Sequence, residues 1–140
     1  MVLGIAVLAA NLVAAGVGGA TWLRRQARWS IVFWPLLRVA QALVAVQVLL
    51  GLGLTASGQS APDGLHIVYG IAPLVVSLVS EGMRLGVAQR QLEDVADLDA
   101  LERSEQVALA RRVALAEVGV MTIGALLIVT LALRAYQTGG

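Results

Sequence analysis

The chain has 140 residues, 59% of them hydrophobic and only 14% charged, with a mean hydropathy of +0.83. That balance excludes an ordinary water-soluble domain. The net charge of +1 says little, but the placement of the ten basic residues, all of them arginine, is informative, and the absence of cysteine rules out disulfides and thiolate metal sites.

A helix needs about 20 apolar residues to cross roughly 30 Å of hydrocarbon. Uncharged runs at 2–20, 39–56, 65–80 and 118–133 therefore predict an all-α integral membrane protein, a four-helix transmembrane bundle forming one domain over 1–140. The third and fourth runs are short. Each is expected to gain a turn at its charged end, with Glu81 and Glu117 at the headgroup level.

Arg24, Arg25, Arg28 and Arg38 lie between the first two runs, and Arg84, Arg90, Arg103, Arg111 and Arg112 between the last two. Only Arg134 falls on the other side. The positive-inside rule then gives an N-out, C-out, multi-pass protein of the cell membrane with both termini extracytoplasmic. A signal peptide carries its basic residues ahead of the apolar core, whereas here they follow it, so the first span is expected to be retained.

Along the first span Ala6, Ala10, Ala14 and Gly18 recur every fourth residue, a small-residue stripe suited to close helix packing and offered as a docking surface. Asn11 lies near mid-span and its amide needs a partner in hydrocarbon. With the second helix starting near Arg38, Gln47 comes level with Asn11, and an Asn11–Gln47 hydrogen bond worth about 1 kcal/mol is expected to hold the first hairpin.

The segment 22–38 mixes Trp22, Trp29 and Trp34 with Arg24, Arg25 and Arg28 and carries Pro35 near its end. It reads as an interfacial stretch along the inner leaflet, with membrane lipids as partners; a nucleic-acid surface is the weaker reading of the same residues. Asp63 is placed to cap the third helix after Pro62, and His66 and Tyr69, three apart, share a face at its outer end.

Residues 81–117 are charged and free of proline, with leucines and valines at three- and four-residue steps, so a helical hairpin is expected to form a cytoplasmic extension between helices 3 and 4. Asp99 and Glu102 resemble a capping box that would start the last helix near Ala100. Glu93, Asp94, Asp97 and Asp99 lack the glycine and terminal glutamate of a calcium loop and read as a solvated turn, so no metal site is assigned.

Nucleophilic triads and phosphate-binding loops are missing from the sequence, which has one histidine and no lysine. The reading is a small non-enzymatic membrane protein, an accessory or assembly subunit of a membrane complex or a homo-oligomer. The first alternative is a redox module binding haem b or quinone through His66 and Tyr69. The order Gln47-Val48-Leu49-Leu50-Gly51, an outer loop, then Leu65-His66 is similar to half-bundles of haem A synthase, which implies haem ligation; that family pairs histidines, so here the second ligand would come from another copy, Met121 or a partner. The second alternative, a small transporter component, rests on scattered polar residues such as Gln41, Ser77 and Thr122.

Overall fold

The computed structural model describes residues 2–58, 64–93 and 95–138. In chain order they form α1 (Val2–Leu23), a single 3₁₀ turn (Ala27–Trp29), α2 (Ser30–Ala56), α3 (Gly64–Leu92) and α4 (Arg103–Thr138), with no strand among the described residues. All four α-helices are long and apolar enough to cross a bilayer. Each packs on its neighbour in sequence, and α4 closes the ring by packing on α1 as extensively as on α3; α2 and α4 meet only across the diagonal.

The core follows from helical spacing. On α2, Phe33, Leu37, Ala40, Val44 and Val48 are buried at steps of three and four, and on α4 Val118, Met121, Thr122, Ala125, Ile128 and Val129 do the same. Ala14, Phe33, Leu37, Val118 and Met121 form one cluster, and Val7, Val44 and Ile128 a second. Because the α2 stripe runs unbroken from Phe33, the helix begins at Ser30, eight residues before Arg38. The stretch 22–38 is thus divided: 24–29 make the turn, and 30–38 are a packed part of the bundle. Pro35 removes one backbone donor, to the Ile31 carbonyl, without stopping the helix.

Two glycines explain how closely the helices approach. A Cβ on Gly18 would overlap Thr122 Oγ1 and lie 2.5 Å from the Phe33 ring, and one on Gly124 would overlap Ser80. Gly18 therefore seats α1 against α2 and α4, while Gly124 seats α4 against α3. Ala14 and Gly18 are buried and Ala6 and Ala10 half-buried, so the small-residue stripe is occupied by the chain's own helices.

The end of α1 is fixed by backbone bonds from Gln26 N to Thr21 O (3.0 Å) and Arg25 N to Trp22 O (3.2 Å), with Arg25 at φ +51°. This is the Schellman arrangement, with arginine at the left-handed position that glycine usually fills. Gly58, at φ +86°, occupies the matching position after α2.

Past Arg84, α3 and α4 continue as a hairpin joined by the irregular segment 93–102. Gln106 Nε2 donates to the carbonyls of Leu98 (3.1 Å) and Leu101 (3.2 Å), fastening that segment to α4. The last helix starts at Arg103, three residues later than the Asp99–Glu102 pattern suggests. The Glu102 N–H donates to Glu105 Oε2 at 3.1 Å, so the reaching-back carboxylate of the cap is Glu105. Asp97 Oδ1 instead accepts from the Asp99 N–H at 2.9 Å, an Asx turn inside the connection.

Candidate functional site

The densest polar cluster joins α2, α3 and α4. Arg38 and Gln41 are three apart on α2, Glu81 and Arg84 three apart on α3, and each pair shares a helix face. Glu81 Oε1 accepts from Arg38 Nη1 at 2.5 Å and from Gln41 Nε2 at 2.9 Å, and Gln41 Oε1 accepts from Arg38 Nη1 at 2.7 Å. Arg84 donates from Nε to Glu81 Oε2 at 2.7 Å and from Nη1 to Glu117 Oε1 at 2.8 Å. Two arginines and two glutamates thus cancel in charge, and every carboxylate has a charged donor.

Trp34 completes the cluster. The guanidinium carbons of Arg38 and Arg84 lie 5.7 and 5.5 Å from its ring centroid, within cation–π range, and Phe33 meets the same ring edge-on at 5.3 Å. Side-chain exposure separates the members: 53% for Arg38 against 22% for Arg84, 25% for Glu81 and 18% for Glu117. Glu81 and Glu117 are therefore half-buried between helices and ion-paired. The pairing of α2 with α3 draws Glu81 inward, and α4 packing on α3 does so for Glu117.

Next to Gln41 a small, partly open cavity of about 10 Å³ is bounded by Asn11, Gln41, Ser77 and Ser80, with apolar Leu37 and Ile128 around them. That is about the volume one water occupies. Among the described residues Ser77 Oγ, Thr122 Oγ1 and Gln47 Oε1 are buried without a hydrogen-bond partner. A larger, shallow groove of about 190 Å³ lies on the outer face of α3 and α4, lined by Val79, Met83, Ile123 and Leu127 and wholly apolar in character.

The expected Asn11–Gln47 bond is not formed. Asn11 Nδ2 donates to the Val7 carbonyl of its own helix at 2.9 Å, and Asn11 is level with Gln41, with which it shares the small cavity. Since α2 begins at Ser30, its register places Gln41 where a helix starting near Arg38 would have placed Gln47.

The tryptophans expected at the interface fall into two groups. Trp22 and Trp29 are about half exposed at the α1–α2 turn; Trp22 lies over Gly119, whose Cβ position is 2.9 Å from its Nε1, and Trp29 Nε1 donates to Gln26 Oε1 at 2.8 Å. Trp34 belongs to the ion cluster. Arg24, Arg25 and Arg28 are exposed at the turn.

Tyr69 is half-buried in the second turn of α3. Residue 66 is helical, but the His66 side chain lies outside the described residues, as do Pro62, Asp63 and the proposed cap. Asp94 lies outside them too, and among the described residues no three of His, Cys, Asp and Glu come together as a metal site would need.

The sequence does not display this cluster, because Arg38, Glu81 and Glu117, taken singly, each look like the end of a span. Its signal lies in two polar i,i+3 pairs, Arg38 with Gln41 and Glu81 with Arg84, that antiparallel packing of α2 and α3 brings to one level. Comparison of the chain with protein-family models, curated proteins and solved structures finds no match.

Proposed function

We propose that this protein is a non-enzymatic contact subunit of the cell membrane, an accessory or assembly component of a larger membrane complex or of its own homo-oligomer. Both termini face the extracytoplasmic side, and the α3–α4 hairpin extends into the cytoplasm. One observation carries the reading: Leu92, Leu98 and Val107 are 39%, 51% and 58% exposed on a hairpin beyond the uncharged runs. Apolar side chains that water would surround mark a surface to be covered where they adjoin in one patch, as this reading requires of these three. The small-residue stripe of α1 is no longer available for this role, because α2 and α4 occupy it. The contact role therefore passes to the hairpin.

The length of α4 supports the same picture. Its 36 residues extend about 54 Å, well beyond a hydrocarbon core of roughly 30 Å. The ion cluster ties the membrane part of this helix to α3 and α2, so the hairpin is held at a fixed orientation to the bundle.

The cysteine-free chain allows a direct test. Leu92→Cys and Val107→Cys are cross-linked in native membranes, and the particle mass is measured in mild detergent. The expected outcome is a cross-linked species at both positions that Leu98→Arg abolishes, with Ser104→Cys labelled from the cytoplasm and Gln137→Cys from outside. A monomer that cross-links to nothing, in membranes or in detergent, would remove the proposal.

A further inference from the structure

The end of the bundle that carries the α1–α2 turn gathers arginines from two distant parts of the chain. Arg24, Arg25 and Arg28 come from the turn, Arg111 and Arg112 from α4, and all five are exposed. The two groups are in contact: Arg111 Nη2 donates to the Arg25 carbonyl at 2.6 Å. That carbonyl is aimed by the left-handed conformation of Arg25 and the Schellman bonds around it.

Among the described residues no carboxylate forms an ion pair with any of the five, and Glu81 and Glu117 are engaged by Arg38 and Arg84. A guanidinium has five N–H donors, so Arg111 retains most of its own after bonding Arg25. The surroundings are amphipathic. Leu23 and Ile31 are each 78% exposed on either side of the turn, and Trp22 and Trp29 are half exposed beside it. Multiple guanidiniums next to exposed apolar side chains and indoles match a ligand with an anionic phosphate attached to acyl chains.

We propose that the turn and α4 together form a binding site for the phosphate of an anionic phospholipid, with Arg111 completing a site begun by Arg24, Arg25 and Arg28. The site goes beyond the contact role above and does not depend on which leaflet the turn faces. Arg111 thereby has two roles, bracing the turn through the Arg25 carbonyl and offering its remaining donors to the phosphate.

The test is native mass spectrometry of the full chain in neutral detergent, titrated with phosphatidylglycerol, phosphatidylcholine or inorganic phosphate. Phosphatidylglycerol is expected to be retained over phosphatidylcholine. Arg111→Gln and Arg28→Gln are each expected to lower that retention roughly fivefold, the usual contribution of one arginine near an anionic lipid, with Arg90→Gln on α3 unchanged. Arg28 makes no side-chain bond to the described residues, so its variant reports on the ligand even if loss of Arg111 disturbs the turn; circular dichroism monitors the fold of both. Equal retention of the two lipids would overturn the site, as would an Arg90→Gln loss matching that of the other two. Displacement of phosphatidylglycerol by inorganic phosphate at equal concentration would replace the lipid with a free anion.

Discussion

Arg84 of α3 and Glu117 of α4 are joined at 2.8 Å, and the same guanidinium holds Glu81 at 2.7 Å, so one side chain bridges two half-buried carboxylates. Removing Arg84 leaves Glu117 without its charged donor and leaves Glu81 with Arg38 and Gln41 alone. Arg84→Ala is expected to cost about 2 kcal/mol or more, whereas Arg38→Ala, half exposed, costs under about 1. The combined replacement Arg84→Met, Glu81→Gln, Glu117→Gln is expected to recover most of the loss, since it removes both half-buried carboxylates with their shared donor and leaves charge only on Arg38, whose side chain is 53% exposed. Thermal unfolding in detergent, followed by circular dichroism, ranks the three; an Arg38 effect equal to that of Arg84 would contradict the arrangement.

Gly18 offers a steric test. A methyl there enters space held by Thr122 and Phe33, while Gly16, two residues away, has open space around its Cβ position. Gly18→Ala is expected to lower stability by about 1–3 kcal/mol, the range for overpacking, and Gly16→Ala to leave it unchanged. Matched melting temperatures for the two would mean that α1 does not approach α2 and α4 as described.

Asn11 and Gln47 are expected to be energetically independent. A double-mutant cycle with Asn11→Leu and Gln47→Leu should give an interaction energy within about 0.5 kcal/mol of zero. Gln47→Leu alone should be neutral or stabilising, because its buried Oε1 has no partner to lose. A coupling near 1 kcal/mol would restore the clasp expected from their spacing.

Arg25 should separate stability from lipid retention. Arg25→Gly relieves a left-handed conformation that costs an L-residue about 1–2 kcal/mol, and it keeps the carbonyl that Arg111 uses. The variant is expected to melt higher in neutral detergent while holding less phosphatidylglycerol. Loss of both properties would mean that the arginine side chain braces the turn.

Haem ligation by His66 makes a different prediction from a contact role. Protein purified from its own membrane is expected to show no Soret band; a band lost in His66→Ala would replace the contact reading with a redox one.

The sequence revealed what depends on local composition. Hydropathy placed a span in each of the four helices because every run is apolar over its own length. It did not locate the start of α2, since Arg38 and Pro35 look like an end when read singly, while the Phe33, Leu37, Ala40 spacing that carries the helix through them depends on packing. That eight-residue difference moved Gln47 away from Asn11. Spacing also identified Gly18 as a close-packing residue. It could not name Thr122 and Phe33 as the neighbours, because helix rotation is decided by tertiary contact. The ion cluster required three separated segments to be brought to one level, which no single window of sequence displays.

The position of α4 also orders the protein's biogenesis. The ribosome makes this helix after the other three, yet it packs extensively on both α1 and α3. Until it enters the bilayer, the notch at Gly18 and the face around Ser80 have nothing to seal them, and Arg84 lacks Glu117. A chain in which α4 enters last would pass through a three-helix stage with two open seams and an incompletely neutralised charge. During that interval a membrane chaperone or a partner subunit has access to surfaces that the completed bundle conceals.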